Sequence, residues 1–207
     1  MKLLPVALNV VGKRCLLVGG GRVAERKARS LLECDAQVYV ISPELCACFA
    51  PLRAQIEYSQ RTFQSGDCHG FELVFACTNR KEINAAVADE ARTSRIWCNI
   101  ADDPQRSDLH TVAAVRRGDV CIGISTGAAS PVLARHVKEE IATTIGEEYA
   151  QLLQIVGAAR DGREASSPHE SSGRGDVWRT ILASDALRLL RAGQTDEAKK
   201  LVADLLK

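Results

Sequence analysis

The stretch "CLLVGGGRVAERKA", residues 15–28, decides how this sequence folds. Apolar residues lead directly into three glycines, and a run of helix-forming residues follows them. The continuous apolar run predicts a strand over residues 15–20 that is covered on both faces of a parallel sheet. The residues after the glycines predict a helix that begins near Arg22. A strand, a glycine turn and a helix in this order form the first half of a βαβ unit.

The glycine turn fits the pattern G-x-G-x-x-G/A through Gly19, Gly21 and Ala24. In that pattern the first glycine makes the turn, the second admits the pyrophosphate of a dinucleotide, and the small third residue lets helix and strand pack closely. The helix N-terminus offers its free N–H groups to the phosphates. We therefore expect Gly19, Gly21, Arg22 and Val23 to bind a dinucleotide. A purely structural turn is the alternative.

Residues after two further strands are candidates for the rest of the cofactor site. The second predicted strand ends in Ser42, Pro43 and Glu44, where dinucleotide-binding folds carry the acidic partner of the ribose hydroxyls. Glu44 either takes that role or is a solvated loop carboxylate. Because no arginine follows this strand directly, the sequence favours NAD over NADP. Thr78 and Asn79 end the fourth strand, at the sheet edge where ribose and nicotinamide bind.

Strands and helices alternate through the first half of the chain, which implies right-handed crossovers and a parallel sheet. The remaining strands are predicted over residues 37–42, 56–61, 72–78 and 95–101. A helix is predicted over residues 81–93, and its apolar stripe consists of Ile83, Ala86, Val87 and Ala91.

After residue 102 this pattern changes. Residues 110–126 predict a β-hairpin or a pair of extended strands. A long helix capped by Ser130 follows, with Gly146 as a candidate interruption and Leu133, Val137, Ile141 and Ile145 as its apolar stripe. A polar loop is predicted over residues 163–176, and two short helices around Gly193. The fold class is therefore α/β: a Rossmann-like parallel sheet (1–112), a β-rich connector (113–149) and a C-terminal helical region (150–207).

Composition narrows the classes of partner and the compartment. The net charge of +1 over 207 residues argues against a nucleic-acid binder. No apolar run is long enough to span a membrane, and Pro5 and Asn9 interrupt the apolar N-terminus, which argues against a signal peptide. We expect a cytoplasmic protein.

The eight cysteines are expected to be reduced thiols, several of them buried in apolar strands: Cys15, Cys77, Cys98 and Cys121. Cys46 and Cys48 form a C-x-C pair without a second pair at zinc-binding spacing, so no metal site is predicted.

Two carboxylates follow the fifth predicted strand, in "CNIADDPQRSDLH" (98–110). Ligands of open α/β sheets bind beyond the carboxyl ends of strands, so Asp102 and Asp103 lie where a reacting group belongs. Neighbours on an extended segment point to opposite sides, so at most one of them faces a given cleft. A solvated turn is the alternative. His110 is either a catalytic residue or an ordinary hydrogen-bonded histidine, and four arginines are candidates for an anion-binding rim: Arg106, Arg116, Arg117 and Arg135.

Three segments together resemble a known family. "LPVALNVVGKRCLLVGGGRVAERKARSLLE", "CNIADDP" and "VRRGDVCIGISTGAASPVLAR" follow one another as in the precorrin-2 dehydrogenase / sirohydrochlorin ferrochelatase module of siroheme synthases. The resemblance covers about residues 1–150. Two positions depart from the family pattern, Ala128 in place of a glycine and Val112 in place of a proline.

The resemblance implies an enzyme of siroheme biosynthesis. Such proteins oxidise the tetrapyrrole precorrin-2 to sirohydrochlorin with NAD, and some also insert ferrous iron to give siroheme. They are homodimers whose contacts come from the region after the Rossmann-like domain, and their functional aspartate falls at Asp102. The alternative from another class is a non-catalytic NAD-sensing regulatory module, which lacks the "NIADDP" segment. A chelatase without redox activity is a third.

Overall fold

The computed structural model describes residues 2–161 and 171–206, with side chains described for 2–158 and 176–206. The chain divides into two compact units, one of Leu4–Thr111 and the other of Met1–Leu3 with Val112–Lys207. Within the described residues, no helix combines the length and apolar character needed to cross a membrane.

The first unit is built on a five-stranded parallel sheet in the order β3-β2-β1-β4-β5. This is the strand order 3-2-1-4-5-6 of the dinucleotide-binding fold without its sixth strand, so the predicted Rossmann-like α/β class is confirmed. The strands are β1 Arg14–Val18, β2 Gln37–Ile41, β3 Ile56–Ser59, β4 Leu73–Ala76 and β5 Trp97–Ile100.

Helices cover both faces of the sheet, which explains the unbroken apolar runs of the central strands. Helix α1 (Arg22–Leu32) and a 3₁₀ helix (Ala47–Gln55) pack on the face that carries Leu17. Helix α2 (Lys81–Thr93) packs on the opposite face, against Leu16.

The buried face of α2 differs from the predicted apolar stripe. The sequence places Ala86 on that stripe, and the structure exposes it. The helix buries Asn84, Val87, Ala88 and Ala91, which follow the spacing i, i+3, i+4, i+7. A polar residue therefore occupies one position of the helix face that contacts the sheet.

In its described residues, the second unit contains the predicted hairpin and, after it, five helices. Antiparallel strands β6 (Ala113–Arg117) and β7 (Val120–Ile124) pair with each other. Ser130 caps the first helix as predicted, because its hydroxyl oxygen accepts the Leu133 N–H at 3.1 Å. The helices are α3 Pro131–Thr144, α4 Glu148–Asp161, α5 Ser171–Ala183, α6 Ala186–Arg191 and α7 Thr195–Leu205.

Three local expectations about this unit need comment. The long helix predicted after Ser130 divides at Gly146, the candidate interruption, and α3 buries only Ala134 rather than the predicted stripe. The predicted polar loop is wrong over residues 171–176, which form the start of α5, and residues 163–170 lie outside the described part of the chain. Ala128 has a φ of 65°, the left-handed conformation that favours the glycine of the family pattern.

The last helices form their own small core, and the two short helices predicted around Gly193 are confirmed as α6 and α7. Five fully or almost fully buried side chains from these helices make up its centre: Leu152, Val156, Ile181, Leu190 and Val202. Arg191 Nε donates to Glu148 Oε1 at 2.7 Å and joins α6 to α4.

The cysteines only partly follow the prediction. Cys15, Cys77 and Cys98 are buried free thiols. Cys121 is exposed, because β7 belongs to a two-stranded hairpin in which alternate side chains face outward.

The expectation of reduced thiols is wrong for Cys46 and Cys48, which form a disulfide in the loop after β2. Their Cα atoms lie 5.3 Å apart, within the range that a disulfide spans.

Candidate functional site

The carboxyl ends of the central strands form one edge of the sheet. Val18 at the end of β1 pairs with both Ile41 and Ala76, and Ala76 pairs with Ile100. The direction of strand addition reverses between β1 and β4, so the crevice where ligands bind in such sheets opens there. The residues that leave these strands are therefore brought together at a single edge.

The three glycines of the turn meet different surroundings. Gly19 has a φ of 124°, and a Cβ added to it would lie 2.6 Å from the Cys77 carbonyl oxygen. A Cβ on Gly20 would overlap the carbonyl oxygen of Glu44. Gly21 has no heavy atom within 4 Å of the position its Cβ would take. The first two glycines allow close backbone packing, whereas the third borders open space.

That open space fits the pyrophosphate of a dinucleotide. Gly21 is the N-cap of α1, and no side chain caps this helix end. The N–H groups of the first turn are thus available to an anion, and a side chain at Gly21 would fill the space next to them. Arg22 and Val23 are exposed at this end, while Ala24 is completely buried, as the third position of the pattern requires.

The loop after β2 is fixed to the glycine turn. Cys46 N–H donates to the Gly20 carbonyl oxygen at 2.8 Å. The buried Ser42 hydroxyl donates to the Glu44 carbonyl oxygen at 2.7 Å, so it shapes the loop. Pro43 and Glu44 are exposed beside it. Of these three candidates, Glu44 is the one whose side chain carries a charge suited to ribose hydroxyls.

The loop after β4 is held by a residue that sequence analysis missed. The Oδ1 atom of Asn84 accepts the Thr78 N–H at 3.1 Å and the Thr78 hydroxyl at 2.7 Å. The Asn84 Nδ2 atom donates to the Thr78 carbonyl oxygen at 3.1 Å. Asn79, next in the loop, is exposed. The signal for Asn84 is present in the sequence, since it is the polar member of an otherwise apolar helix face.

The same Asn84 side chain reaches the candidate catalytic carboxylate. Its Nδ2 atom donates to Asp102 Oδ1 at 2.9 Å. Asp102 is exposed, whereas Asp103 is half-buried and accepts the Arg106 N–H at 3.2 Å. The two neighbouring carboxylates therefore have different partners.

Cys77 lies between the glycine turn and this carboxylate. Burial raises the pKa of the Cys77 thiol to about 11; the positive charge of Lys27 opposes the shift and the negative charge of Asp102 adds to it. Burial also lowers the pKa of Lys27, whose Nζ atom donates to Thr111 Oγ1 at 3.0 Å. Cys77 is thus a neutral thiol at neutral pH and a poor proton acceptor.

The other polar candidates are bound to their own chain or lack a partner. Arg106 donates to Asp89 Oδ1 at 2.8 Å, and Arg117 donates to the carbonyl oxygens of Ile145 and Ala142. His110 Nε2 is buried and has no hydrogen-bond partner. In the part of the chain that the structure describes, no group of three His, Cys, Asp or Glu side chains could hold a metal ion.

Comparison with known proteins assigns the glycine turn to a family. Residues 6–113 match the family described as "Putative NAD(P)-binding", which is more than half of the chain. The chain belongs to this family. The matched residues coincide closely with the unit Leu4–Thr111. The family match confirms the predicted nicotinamide cofactor.

The chain is also similar to siroheme synthases over almost its entire length. It is 35% identical to "Siroheme synthase 3" of Aeromonas hydrophila over 208 residues, which is 99% of the chain and 44% of that protein. It is 34% identical to the siroheme synthase of Methylococcus capsulatus, covering 99% of the chain and 43% of that protein. The predicted resemblance is confirmed, and the chain spans less than half the length of these curated relatives.

One solved structure has the same fold throughout. "SirC, precorrin-2 dehydrogenase" superposes with a TM-score of 0.76 at 24% identity, covering 98% of this chain and 100% of that one. The match covers both units of the chain, so it shows the fold of each one.

Proposed function

We propose that this chain oxidises precorrin-2 to sirohydrochlorin with NAD as the hydride acceptor. The observation that carries the proposal is a continuous path of contacts from the glycine turn to a carboxylate. Gly19 packs against the Cys77–Thr78 peptide, Thr78 is hydrogen-bonded to Asn84, and Asn84 is hydrogen-bonded to Asp102. Similarity to siroheme synthases and the fold of a precorrin-2 dehydrogenase support the choice of substrate.

The residues of this edge divide the chemistry between them. Gly19, Gly21, Arg22 and Val23 would hold the pyrophosphate through the N-terminus of α1. Glu44, with Ser42 and Pro43 shaping its loop, would accept the ribose hydroxyls, and Thr78 and Asn79 would lie against the nicotinamide. NAD, when bound, supplies the hydride acceptor.

Asp102 completes the reaction by accepting a proton. Oxidation of precorrin-2 to sirohydrochlorin removes two electrons and two protons, which leave as one hydride and one proton. Bound NAD would take the hydride, and Asp102, an exposed carboxylate at the sheet edge, is suited to accept the proton. The eight carboxylates of the substrate favour arginines at the rim of the cleft.

The preference for NAD over NADP rests on the loop after β2. Its exposed residues are Pro43 and Glu44, and no basic residue follows the strand directly. A carboxylate there accepts hydrogen bonds from ribose hydroxyls and repels a 2′-phosphate. The proposal thus predicts a lower KM for NAD than for NADP.

An anaerobic assay tests the proposal. Purified protein, precorrin-2 and NAD should give sirohydrochlorin and NADH in equal amounts, followed by absorbance. The Asp102→Asn variant should lose turnover by at least about 10²-fold, the contribution of a positioned proton acceptor, while it still binds NAD. Asp103→Asn is the matched control and should retain activity. NAD binding without any oxidation would favour the non-catalytic regulatory module instead.

Insertion of ferrous iron is a second reaction proposed for the same carboxylate. Metal entry into sirohydrochlorin requires loss of the pyrrole protons, which Asp102 is suited to accept. Sirohydrochlorin and ferrous iron should then give siroheme faster with the wild type than with Asp102→Asn. Formation of siroheme at the rate seen without protein would remove this reaction from the proposal.

We also propose that residues 113–149 mediate formation of a homodimer, with residues 1–112 as the NAD-binding domain and 150–207 as the helical region. Helix α3 buries only Ala134 and exposes 80% of Val132 and 50% of Leu133, an apolar surface suited to contact with a second copy. Sedimentation should show a dimer that Val132→Asp weakens. A monomeric wild type would contradict this part.

Because NAD is an intracellular metabolite, the proposal places the protein in the cytoplasm.

A further inference from the structure

We infer that Asn84 is a positioning residue, whose single amide group fixes the position of the Asp102 carboxylate relative to the loop that contains Thr78. This inference rests on the proposed function, in which Asp102 accepts the proton and Thr78 lies against the cofactor. It assigns a role to a side chain on α2, an element that the chemistry does not otherwise use.

The hydrogen bonds of Asn84 are fully used. Its Oδ1 atom accepts two hydrogen bonds from Thr78, and its Nδ2 atom donates one to Thr78 and one to Asp102. An asparagine amide has two acceptor sites and two donor hydrogens, so no capacity remains. The side chain is only 2% exposed, which fixes it among apolar neighbours.

Burial of the Asn84 amide costs free energy, which is explained if its hydrogen bonds have a role in the site. It stands in the first turn of α2 on the face that otherwise buries Val87, Ala88 and Ala91. An amide in such a place must find partners for all its polar atoms, and an apolar residue would avoid that requirement. All four partners belong to the loop after β4 and the turn after β5, which are the two segments that the reaction has to align.

A neutral amide is well suited to orient a proton acceptor. It donates to one oxygen of the Asp102 carboxylate and cannot itself take up the proton, so it fixes the carboxylate without competing with it. Because the same amide binds the backbone on both sides of Thr78, any displacement of that loop is transmitted to the carboxylate through one rigid group. Misplacement of a reacting group by about 1 Å can cost about 10²-fold in rate.

Replacement of Asn84 by aspartate tests the inference most directly. Asn84→Asp has almost the same shape and can still accept the two hydrogen bonds from Thr78. Its second oxygen, however, faces the Thr78 carbonyl oxygen and the Asp102 carboxylate. Two carboxylates that share a site favour protonation of one of them. We expect the acid limb of the kcat–pH profile to move to higher pH by about one unit or more. The dissociation constant of NAD should change by less than about threefold, which is small beside the roughly 10²-fold loss of rate that misalignment causes.

Asn84→Ala should lower kcat by about 10²-fold through loss of alignment. Asn99→Asp is the matched control. Asn99 is also buried, at 7% exposure, but its amide donates to the Leu109 carbonyl oxygen. Both aspartate variants bury an added carboxyl, so both should lose stability, and only Asn84→Asp should move the pH profile. An identical profile for the two variants would overturn the positioning role.

A readout that needs no turnover separates this inference from the proposed function. The carbon-13 NMR signal of the Asp102 side-chain carboxyl should respond to protonation of the added carboxyl in Asn84→Asp and not in Asn99→Asp, in protein without substrate. The absence of this response in Asn84→Asp would overturn the role of Asn84. The response in a protein that does not oxidise precorrin-2 would overturn only the proposed reaction.

Discussion

Neighbouring residues of the glycine turn lack a side chain for different reasons. Gly20 and Gly21 are adjacent and chemically identical, yet only Gly20 is closely surrounded by protein atoms. Gly20 is needed for the fold of the loop after β2, which approaches its backbone. Gly21 has an ordinary φ of −86°, so its lack of a side chain serves the space beyond it.

This difference predicts opposite behaviour of two alanine variants. Gly20→Ala should lower the free energy of unfolding by about 2 kcal/mol or more, because its Cβ would overlap the Glu44 carbonyl oxygen. Gly21→Ala should leave the free energy of unfolding within about 1 kcal/mol and weaken NAD binding by at least about tenfold, since its methyl group occupies the phosphate space. Urea denaturation and NAD titration measure the two effects. Equal NAD affinity in Gly21→Ala and the wild type would contradict the assignment of the turn.

An ion pair in the loop after β3 predicts a pH dependence of stability. The two terminal guanidinium nitrogens of Arg61 donate to Asp67 at 2.7 Å, and Gln64 N–H donates to the same carboxylate at 2.7 Å. The hydrogen bonds from Arg61 are the main cause that holds the pKa of Asp67 below its ordinary value. A carboxyl of lowered pKa stabilises the fold fully above its unfolded pKa of about 3.9, and the stabilisation is lost as the pH falls through the folded-state value.

Asp67→Asn should therefore cost about 2 kcal/mol at pH 7 and nothing once the pH is below the folded-state pKa of Asp67. Urea denaturation at several pH values measures this. Asp89→Asn is the control, because Asp89 is largely exposed beside Arg92 and Arg106 and such pairs contribute about 0–1 kcal/mol. A cost that is the same at acid and neutral pH would contradict the role of the ion pair.

Among the elements, the loop after β2 shows how a short segment is fixed by several weak constraints. The Ser42 hydroxyl, the Cys46 N–H and the Cys46–Cys48 disulfide all act within a few residues of Glu44. The hydrogen bond from Cys46 to Gly20 uses the backbone, so it does not depend on the sulfur atoms. The loop should therefore keep its position at the glycine turn without the disulfide.

The double variant Cys46→Ser and Cys48→Ser tests this expectation. Closing so short a loop removes little entropy from the unfolded chain, so the free energy of unfolding should fall by only about 1.5 kcal/mol. NAD affinity should stay within about twofold, because a disulfide in this short loop acts mainly on the unfolded chain. Urea denaturation with and without dithiothreitol measures the effect: reductant should destabilise the wild type and leave the variant unchanged. A large loss of NAD affinity would show that the disulfide itself shapes the site.

For the whole molecule, the division into two units predicts which elements bound NAD stabilises. All the proposed cofactor residues belong to Leu4–Thr111. A ligand that binds only the folded state at a hundred times its dissociation constant stabilises it by about 2.7 kcal/mol. We expect NAD to slow amide hydrogen exchange in β1, β4 and α1 and to leave α6 and α7 unchanged. Gly21→Ala should lose this protection, and equal protection of both units would contradict the prediction.

Much of the first unit could be predicted because its signals are local. The signals are the apolar runs, the glycines after β1 and the helical spacing before residue 93. Each of them is contained in a few neighbouring residues, and together they predict the strands and helices that form the sheet. The hairpin and the cap by Ser130 were predictable for the same reason. The predicted stripe of α2 is wrong at Ala86, which is exposed, because apolar spacing does not register a polar residue such as Asn84 on the buried face.

The sequence by itself determined that a parallel sheet carries a glycine turn suited to a dinucleotide, since propensity and periodicity act between near neighbours. Only the tertiary structure decided that Asn84 joins Thr78 to Asp102, and that Gly20, not Gly21, is closely packed. The contacts of Asn84 with Asp102 and of Gly20 with Glu44 link residues from different βα units, and they exist because the parallel sheet brings the carboxyl ends of β1, β2, β4 and β5 to one edge. Sequence spacing alone does not state the distances across that edge.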